Sequence, residues 1–200
     1  LKYQKQTKKM KIAIVYHSGF GHTKLVAERI AKGAKSILPY VQLFSTEEAI
    51  LENQKLLEAD TIVFGSPTYF GNVSAEFKRF MESTGSIWAQ QRWKNKMAAG
   101  FTNSSSINGD KLSTLISLSI FAAQHSMMWI PLGILPKYDD AGNQLPEHNG
   151  MASYLGLMTL SSNAYQFKEP TELTTAELFG QRIAEVTKHV MSNRLELIPA

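Results

Sequence analysis

Short apolar runs alternate with helical stripes along most of this chain. Lys11–Tyr16 (KIAIVY) is a β-branched apolar run, as a strand buried on both faces requires. The polar stretch at residues 17–23 contains two glycines. Val26, Ile30 and Ala34 then recur every four residues beside Leu25, which predicts a helix over about 23–34. Residues 41–44 read as a second strand. Ser45 and Glu48 stand at capping-box spacing and predict a helix to about residue 57. Residues 61–65 (TIVFG) are a third buried strand, and residues 66–73 a loop. Ser74 can cap a helix whose Phe77, Phe80 and Met81 form one stripe. Residues 96–102 predict a fourth strand and residues 103–109 a small, polar loop. Asp110 opens a helix to about His125, and residues 128–134 predict a fifth strand. Residues 135–161 keep no period and read as an insertion. Thr174 and Glu177 have capping-box spacing, and Phe179, Ile183, Val186 and Val190 mark a last helix.

Strand and helix thus alternate five times, the pattern of a parallel sheet with helices on both faces. Right-handed crossovers leave few topologies, and five strands favour the order 2-1-3-4-5. No internal repeat or linker interrupts residues 10–200, which read as a single α/β domain. Ligands of such sheets bind beyond the carboxyl ends of the strands, where the order reverses. The loops after strands 1, 3 and 4 meet there, and they are the most unusual loops in the sequence.

In the first, Ser18-Gly19-Phe20-Gly21-His22-Thr23, two glycines free the backbone to turn its N–H groups inward. Two hydroxyls and a helix start add donors, a combination suited to a phosphate. The same residues also make a plain tight turn. In the second, Gly65-Ser66-Pro67-Thr68-Tyr69-Phe70-Gly71-Asn72, a rigid proline and two aromatics offer a wall for a flat heteroaromatic ring, or else a β-to-α turn. In the third, Asn103, Ser104, Ser105, Ser106, Asn108 and Gly109 offer short donors and acceptors, or a solvated loop. His125 reads as a cap or a packed polar residue, and Trp88 and Trp93 as packing or interface groups.

Several chemistries are missing. There is no G-x-x-x-x-G-K-[ST], and Lys24 stands where a dinucleotide fingerprint needs its third glycine. His17-Ser18 and Ser66-Pro67 replace the acidic residues of a phospho-receiver. No G-x-S-x-G or H-x-x-x-H occurs, so neither a serine hydrolase nor a metal site is expected. The 200 residues include no cysteine, which excludes thiol catalysis and disulfides. No apolar run reaches the ~20 residues of a membrane span. A cytoplasmic location is therefore expected. The net charge of +4 is concentrated: Lys2, Lys5, Lys8 and Lys9 precede Met10, no acidic residue does, and the remainder is neutral. Residues 1–9 read as a loose basic leader, and a nucleic-acid footprint is not expected.

Taken together, the three loops resemble the FMN loops of WrbA-type flavoproteins, which are multimeric, flavodoxin-like NAD(P)H:quinone oxidoreductases. The similarity runs from Lys11 to about Gly133 and weakly into the last helix. It implies a flavodoxin-like fold, FMN as cofactor, NAD(P)H as donor and a quinone-like small molecule as acceptor, reached by a ping-pong cycle. It implies that Ser18 to Thr23 hold the phosphate and that Pro67 to Asn72 line the isoalloxazine ring. Asn103 to Gly109 then follow the ribityl chain. His125 matches a histidine beside the flavin, and Phe20 and Trp88 match aromatics over the substrate pocket. A homodimer or homotetramer is implied too. The sequence departs from the family in three places. Its third loop is poorer in glycine, Tyr69 replaces an arginine, and Gly150-Met151-Ala152-Ser153-Tyr154-Leu155-Gly156 replaces a Gly-Gly-x-Pro-Tyr-Gly stretch. The rival readings are a flavodoxin-type electron carrier, disfavoured by the neutral charge, and a relative that has lost its flavin.

Overall fold

A computed structural model describes residues 9–161 and 170–193. The basic leader, apart from Lys9, lies outside them. Lys9 places its ammonium 5.0 Å from the centre of the Tyr40 ring.

The first three strands are β1 (Lys11–Tyr16), β2 (Tyr40–Ser45) and β3 (Thr61–Tyr69). They pair in parallel in the order β2-β1-β3, and β5 (Met97–Ser104) follows β3. Successive side chains of β1 enter opposite layers, as the two-residue period of a strand demands. Ile12 and Ile14 join Val63 and Phe101 on one face; Ala13 and Val15 join Ile62 and Phe64 on the other. The first layer is covered by α1 (His22–Lys35) and α7 (Pro170–Ser192). These helices cross in near contact at two glycines. A β-carbon on Gly33 would lie 1.8 Å from the Glu177 carbonyl oxygen, and one on Gly180 would lie 2.0 Å from that of Ile30.

The second layer is aromatic. Phe64, Phe77, Phe80, Trp93 and Phe121 pack edge to face or tilted, with ring centres 5.2–6.4 Å apart. Its helices are α2 (Thr46–Leu51), α3 (Asn53–Glu58), α4 (Ala75–Ser83), α5 (Gly85–Ala89) and α6 (Lys111–Gln124). The Ser45–Glu48 capping box forms as expected, but the helix after it breaks at Glu52 and resumes as α3.

The far edge corrects the sequence reading. The fifth strand is split. Its first piece, β6 (Met128–Trp129), pairs with Met97 and Ala98. Pro131 has no N–H to continue the ladder, and Gly133 turns at φ 63° against Arg182. The chain leaves through a small hairpin, β7 (Lys137–Tyr138) and β8 (Gln144–Leu145), and returns as β9 (Leu157–Leu160). That strand pairs in parallel with Phe101–Ser104. Trp129 plugs the gap between the pieces: its ring covers Gly100 and its Nε1 donates to the Leu155 carbonyl at 2.8 Å. The end of the supposed insertion is thus sheet core. A second correction concerns Thr174 and Glu177, which lie inside α7 rather than at a cap. Glu177 instead pairs with Lys32 of α1 at 3.0 Å.

Candidate cofactor site

The loops after β1, β3 and β5 converge on a cavity of about 600 Å3 at the carboxyl edge of the sheet. This volume falls within the ~300–1,000 Å3 of small-molecule sites. The loops lie in van der Waals contact with one another. A β-carbon on Gly19 would lie 3.4 Å from the Tyr69 hydroxyl, and one on Gly71 would lie 3.5 Å from Cβ of Asp110.

From the first loop, Ser18, Gly19, Phe20, His22 and Thr23 line the cavity. Gly21 is the N-cap of α1 at φ 88°, where it has no side chain to cap the helix, and the first turn holds no acidic residue. Ser18 Oγ accepts the Lys24 amide at 3.1 Å, so its own hydrogen remains for a ligand. This helix start suits an anion.

The second loop is more ordered than its sequence predicts. β3 continues through Pro67 to Tyr69 and folds back as β4 (Asn72–Val73), with Phe70 and Gly71 as a two-residue turn. Both have positive φ, 49° and 72°. Glycine takes that conformation freely and phenylalanine does not. Phe70 is fully exposed at the cavity mouth. Pro67, Thr68, Tyr69, Phe70 and Gly71 line the cavity, and Asn72 does not. Thr68 is fixed from behind by the hydroxyls of Thr102 at 2.7 Å and Thr114 at 2.8 Å. Burial, helped by the charge of Glu76, holds the Tyr69 hydroxyl above its ordinary pKa of 10. It is therefore a hydrogen-bond donor at neutral pH.

From the third loop, Asn103, Ser104, Ser105, Ser106 and Gly109 line the cavity, while Asn108 does not. Asn103 is buried and oriented by the split edge strand: its Nδ2 donates to Ser161 Oγ and its Oδ1 accepts from Thr159 Oγ1, both at 2.8 Å. Two wall residues escaped the sequence reading. Asp110 reads as a helix cap, yet at φ 53° its side chain makes no capping bond and faces the cavity. Ser161 follows β9 inside the stretch that reads as an insertion.

Neither His125 nor Trp88 lines this chain's cavity. Helices of a parallel α/β fold run back against the strands. The fourteen residues of α6 carry the chain about 21 Å from the third loop to His125. There His125 Nε2 meets Thr84 Oγ1 at 3.0 Å, and its ring lies 4.4 Å from that of Trp93. Burial pushes its pKa down to about 4. Trp88, half-exposed on α5, follows α4 to that same far end. Trp93, read from the sequence as a packing or interface group, is fully buried in the core.

Parallel strands in the order β2-β1-β3-β5-β6, with three loops closing on an anion-ready helix start and an aromatic wall, define a flavodoxin-like FMN protein of the WrbA type. Residues 37–136 match the family of NADPH-dependent FMN reductases, and the chain belongs to that family. Flavodoxin FldP of Pseudomonas aeruginosa is 38% identical over 178 residues, covering 88% of this chain and 96% of FldP. Quinone-oxidoreductase QR2 of Triphysaria versicolor is 32% identical over 201 residues, covering 90% and 96%. The solved structure of a WrbA-like flavodoxin from Agrobacterium tumefaciens superposes with a TM-score of 0.72 at 34% identity, over 90% of this chain and 98% of the other. Among the described residues no helix is long and apolar enough to cross a membrane, and no three metal-ligating side chains cluster.

Proposed function

We propose that this chain is a cytoplasmic oxidoreductase that takes electrons from NAD(P)H and passes them through FMN to a quinone-like acceptor in a ping-pong cycle. One observation carries the reading: three loops, with short polar donors and the aromatic side chains of Phe20, Tyr69 and Phe70, close on one open cavity. FMN, when bound, supplies the two-electron chemistry.

The protein's own groups bind, orient and shield. Ser18, Thr23 and the start of α1 hold the phosphate. Pro67, Tyr69, Phe70 and Gly71 form the ring wall, and the Tyr69 hydroxyl, beside Gly19, adds a donor on the phosphate side. Asn103, Ser104, Ser105 and Ser106 take the ribityl chain and the ring's pyrimidine edge. Phe20 and Phe70 keep water off the exposed ring face. Both rings are well exposed, so flat donor and acceptor molecules can occupy that face in turn. The test is steady-state NAD(P)H oxidation by FMN-loaded protein with a panel of quinones. Turnover well above that of free FMN is expected; none across the panel removes the reading.

A second reading, an electron carrier without a small-molecule substrate, is favoured by the 38% identity to a protein named flavodoxin. It predicts no NAD(P)H oxidation unless a separate reductase is added. We also propose self-association through α6, whose Leu112, Ile116 and Ile120 form an exposed apolar row at four-residue spacing. Ile116→Glu is expected to lower the sedimenting mass.

A further inference from the structure

Lys111 is the first residue of α6, and it is completely buried behind the third cavity loop. Its Nζ lies 3.0 Å from Ser104 Oγ, 2.7 Å from the Ser106 carbonyl and 2.8 Å from the Ile107 carbonyl. Ser104 Oγ spends its own hydrogen on the Ser106 carbonyl at 3.0 Å, so it accepts from the lysine. Three acceptors around one nitrogen call for three N–H donors. An ammonium has three and a neutral amine two. Lys111 is therefore a charged group, although burial works against its charge and the carboxylate of Glu172 supports it.

The loop's backbone follows from this anchor. In a trans peptide the carbonyl and the next N–H point in opposite directions. Turning the carbonyls of Ser106 and Ile107 towards Lys111 turns the N–H groups of Ile107 and Asn108 away from it, although neither of these two residues lines the cavity. Ser104, Ser105 and Ser106 of the same loop line the cavity. A buried cation thus backs a wall of short donors. Asp110 on the cavity wall and Glu172 of α7 carry the opposing charge.

We infer that Lys111 is a positioning residue whose fixed positive charge makes the cavity hold reduced FMN more tightly than oxidised FMN. The inference rests on the cofactor site proposed above. Reduction adds electron density to the ring, and a desolvated cation nearby favours the more negative form. The charge sits behind hydrogen-bonded loop atoms, so it acts without touching the cofactor.

Dissociation constants for FMN and two-electron midpoint potentials test this in wild type, Lys111→Gln, Lys111→Arg and Glu172→Gln. Lys111→Gln keeps donors but loses the charge. It is expected to weaken reduced FMN at least tenfold more than oxidised FMN, which lowers the midpoint by about 30 mV for a two-electron couple. Lys111→Arg is expected to keep the wild-type potential and Glu172→Gln to raise it. A merely structural lysine would weaken both redox forms equally and leave the potential unmoved, and that result overturns the inference. If Lys111→Gln does not fold, Glu172→Gln decides, and an unchanged potential there overturns it as well. Wild-type protein that stays colourless in excess FMN overturns the cofactor reading itself, and this inference with it.

Discussion

The two ends of the cavity stand on supports of different kinds. The end proposed for the phosphate rests on β1 and its neighbours, which pair without a break over five or six residues and are packed on apolar layers. The ring-edge end rests on β5 and a split strand, tied together by buried polar groups. Asn103 bonds both Thr159 and Ser161, and Glu172 accepts the Leu160 amide. Apolar packing tolerates substitutions of similar volume, whereas a buried polar network depends on every member. The first support can be built from any well-packed sequence of the right pattern. The second fixes particular atoms, and it lies beside the loop that would feel the cofactor's charge.

Gly180→Val should separate the two most sharply. Its first side-chain carbon enters the Ile30 carbonyl at the α1–α7 crossing, where backbone cannot yield. A loss of at least ~3 kcal/mol in urea unfolding is expected, since overpacking a tight contact reaches that scale. The cavity of the surviving folded fraction should bind FMN normally. Asn149→Ala attacks the other support. Asn149 Nδ2 donates to the Ile134 carbonyl at 2.7 Å and the Ser153 carbonyl at 2.9 Å, and its Oδ1 accepts the Ser153 amide at 3.0 Å. Leaving such groups buried and unpaired costs about 2–3 kcal/mol. Here amide exchange should rise first in residues 134–156, before the central strands open. Equal, global exchange in both variants would erase the distinction.

This contrast also governs what could be read from the sequence. The continuous half of the sheet was legible because its strands are unbroken apolar runs and its helices carry stripes and caps, as in Ser45–Glu48 and Ser74. The cavity loops were legible through Gly19, Gly21, Pro67 and Gly71, whose backbone roles are written in residue type. The split edge was not. Residues 157–160 (LMTL) are too short to stand out against turn-rich surroundings, and only pairing with Phe101–Ser104 makes them a strand. Lys111 escaped because a lysine one residue after a helix cap normally reads as solvated surface. His125 was matched to a site by resemblance, yet helix direction carries it to the opposite end.

His125 offers a smaller effect with a definite sign. Its pKa is about 4 in the folded chain, against an ordinary 6.5. Between these values the unfolded chain holds a proton that the folded chain does not, so stability rises with pH across that window. It is complete above about 6.5, falls as the medium is acidified, and levels off below about 4. From pH 6.5 to 5 this one group contributes about 2 kcal/mol. Unfolding curves across that range should be flatter by this amount in His125→Gln, while FMN uptake at pH 7.5 stays as in wild type. Loss of FMN uptake without loss of stability would place the histidine functionally at the cavity after all.

The smallest effect comes from Phe70, and it joins the fold to the site. A non-glycine residue at φ 49° costs about 1 kcal/mol, and the ring it carries has no packing partner to repay that, being fully exposed. Phe70→Gly removes the strain but adds ~0.5–1 kcal/mol of unfolded-chain entropy, so a net change within about 0.5 kcal/mol is expected. Phe70→Ala keeps the strained conformation and loses the same ring. With strain and entropy nearly cancelling, the two variants should lie within about 0.5 kcal/mol of one another, while both bind FMN more weakly to the same degree. That pairing separates strain from contact at one position. An alanine variant more stable than the glycine variant by ~0.5–1 kcal/mol would show that the turn is unstrained, and unchanged FMN affinity in both would show that the exposed ring is no part of the flavin wall.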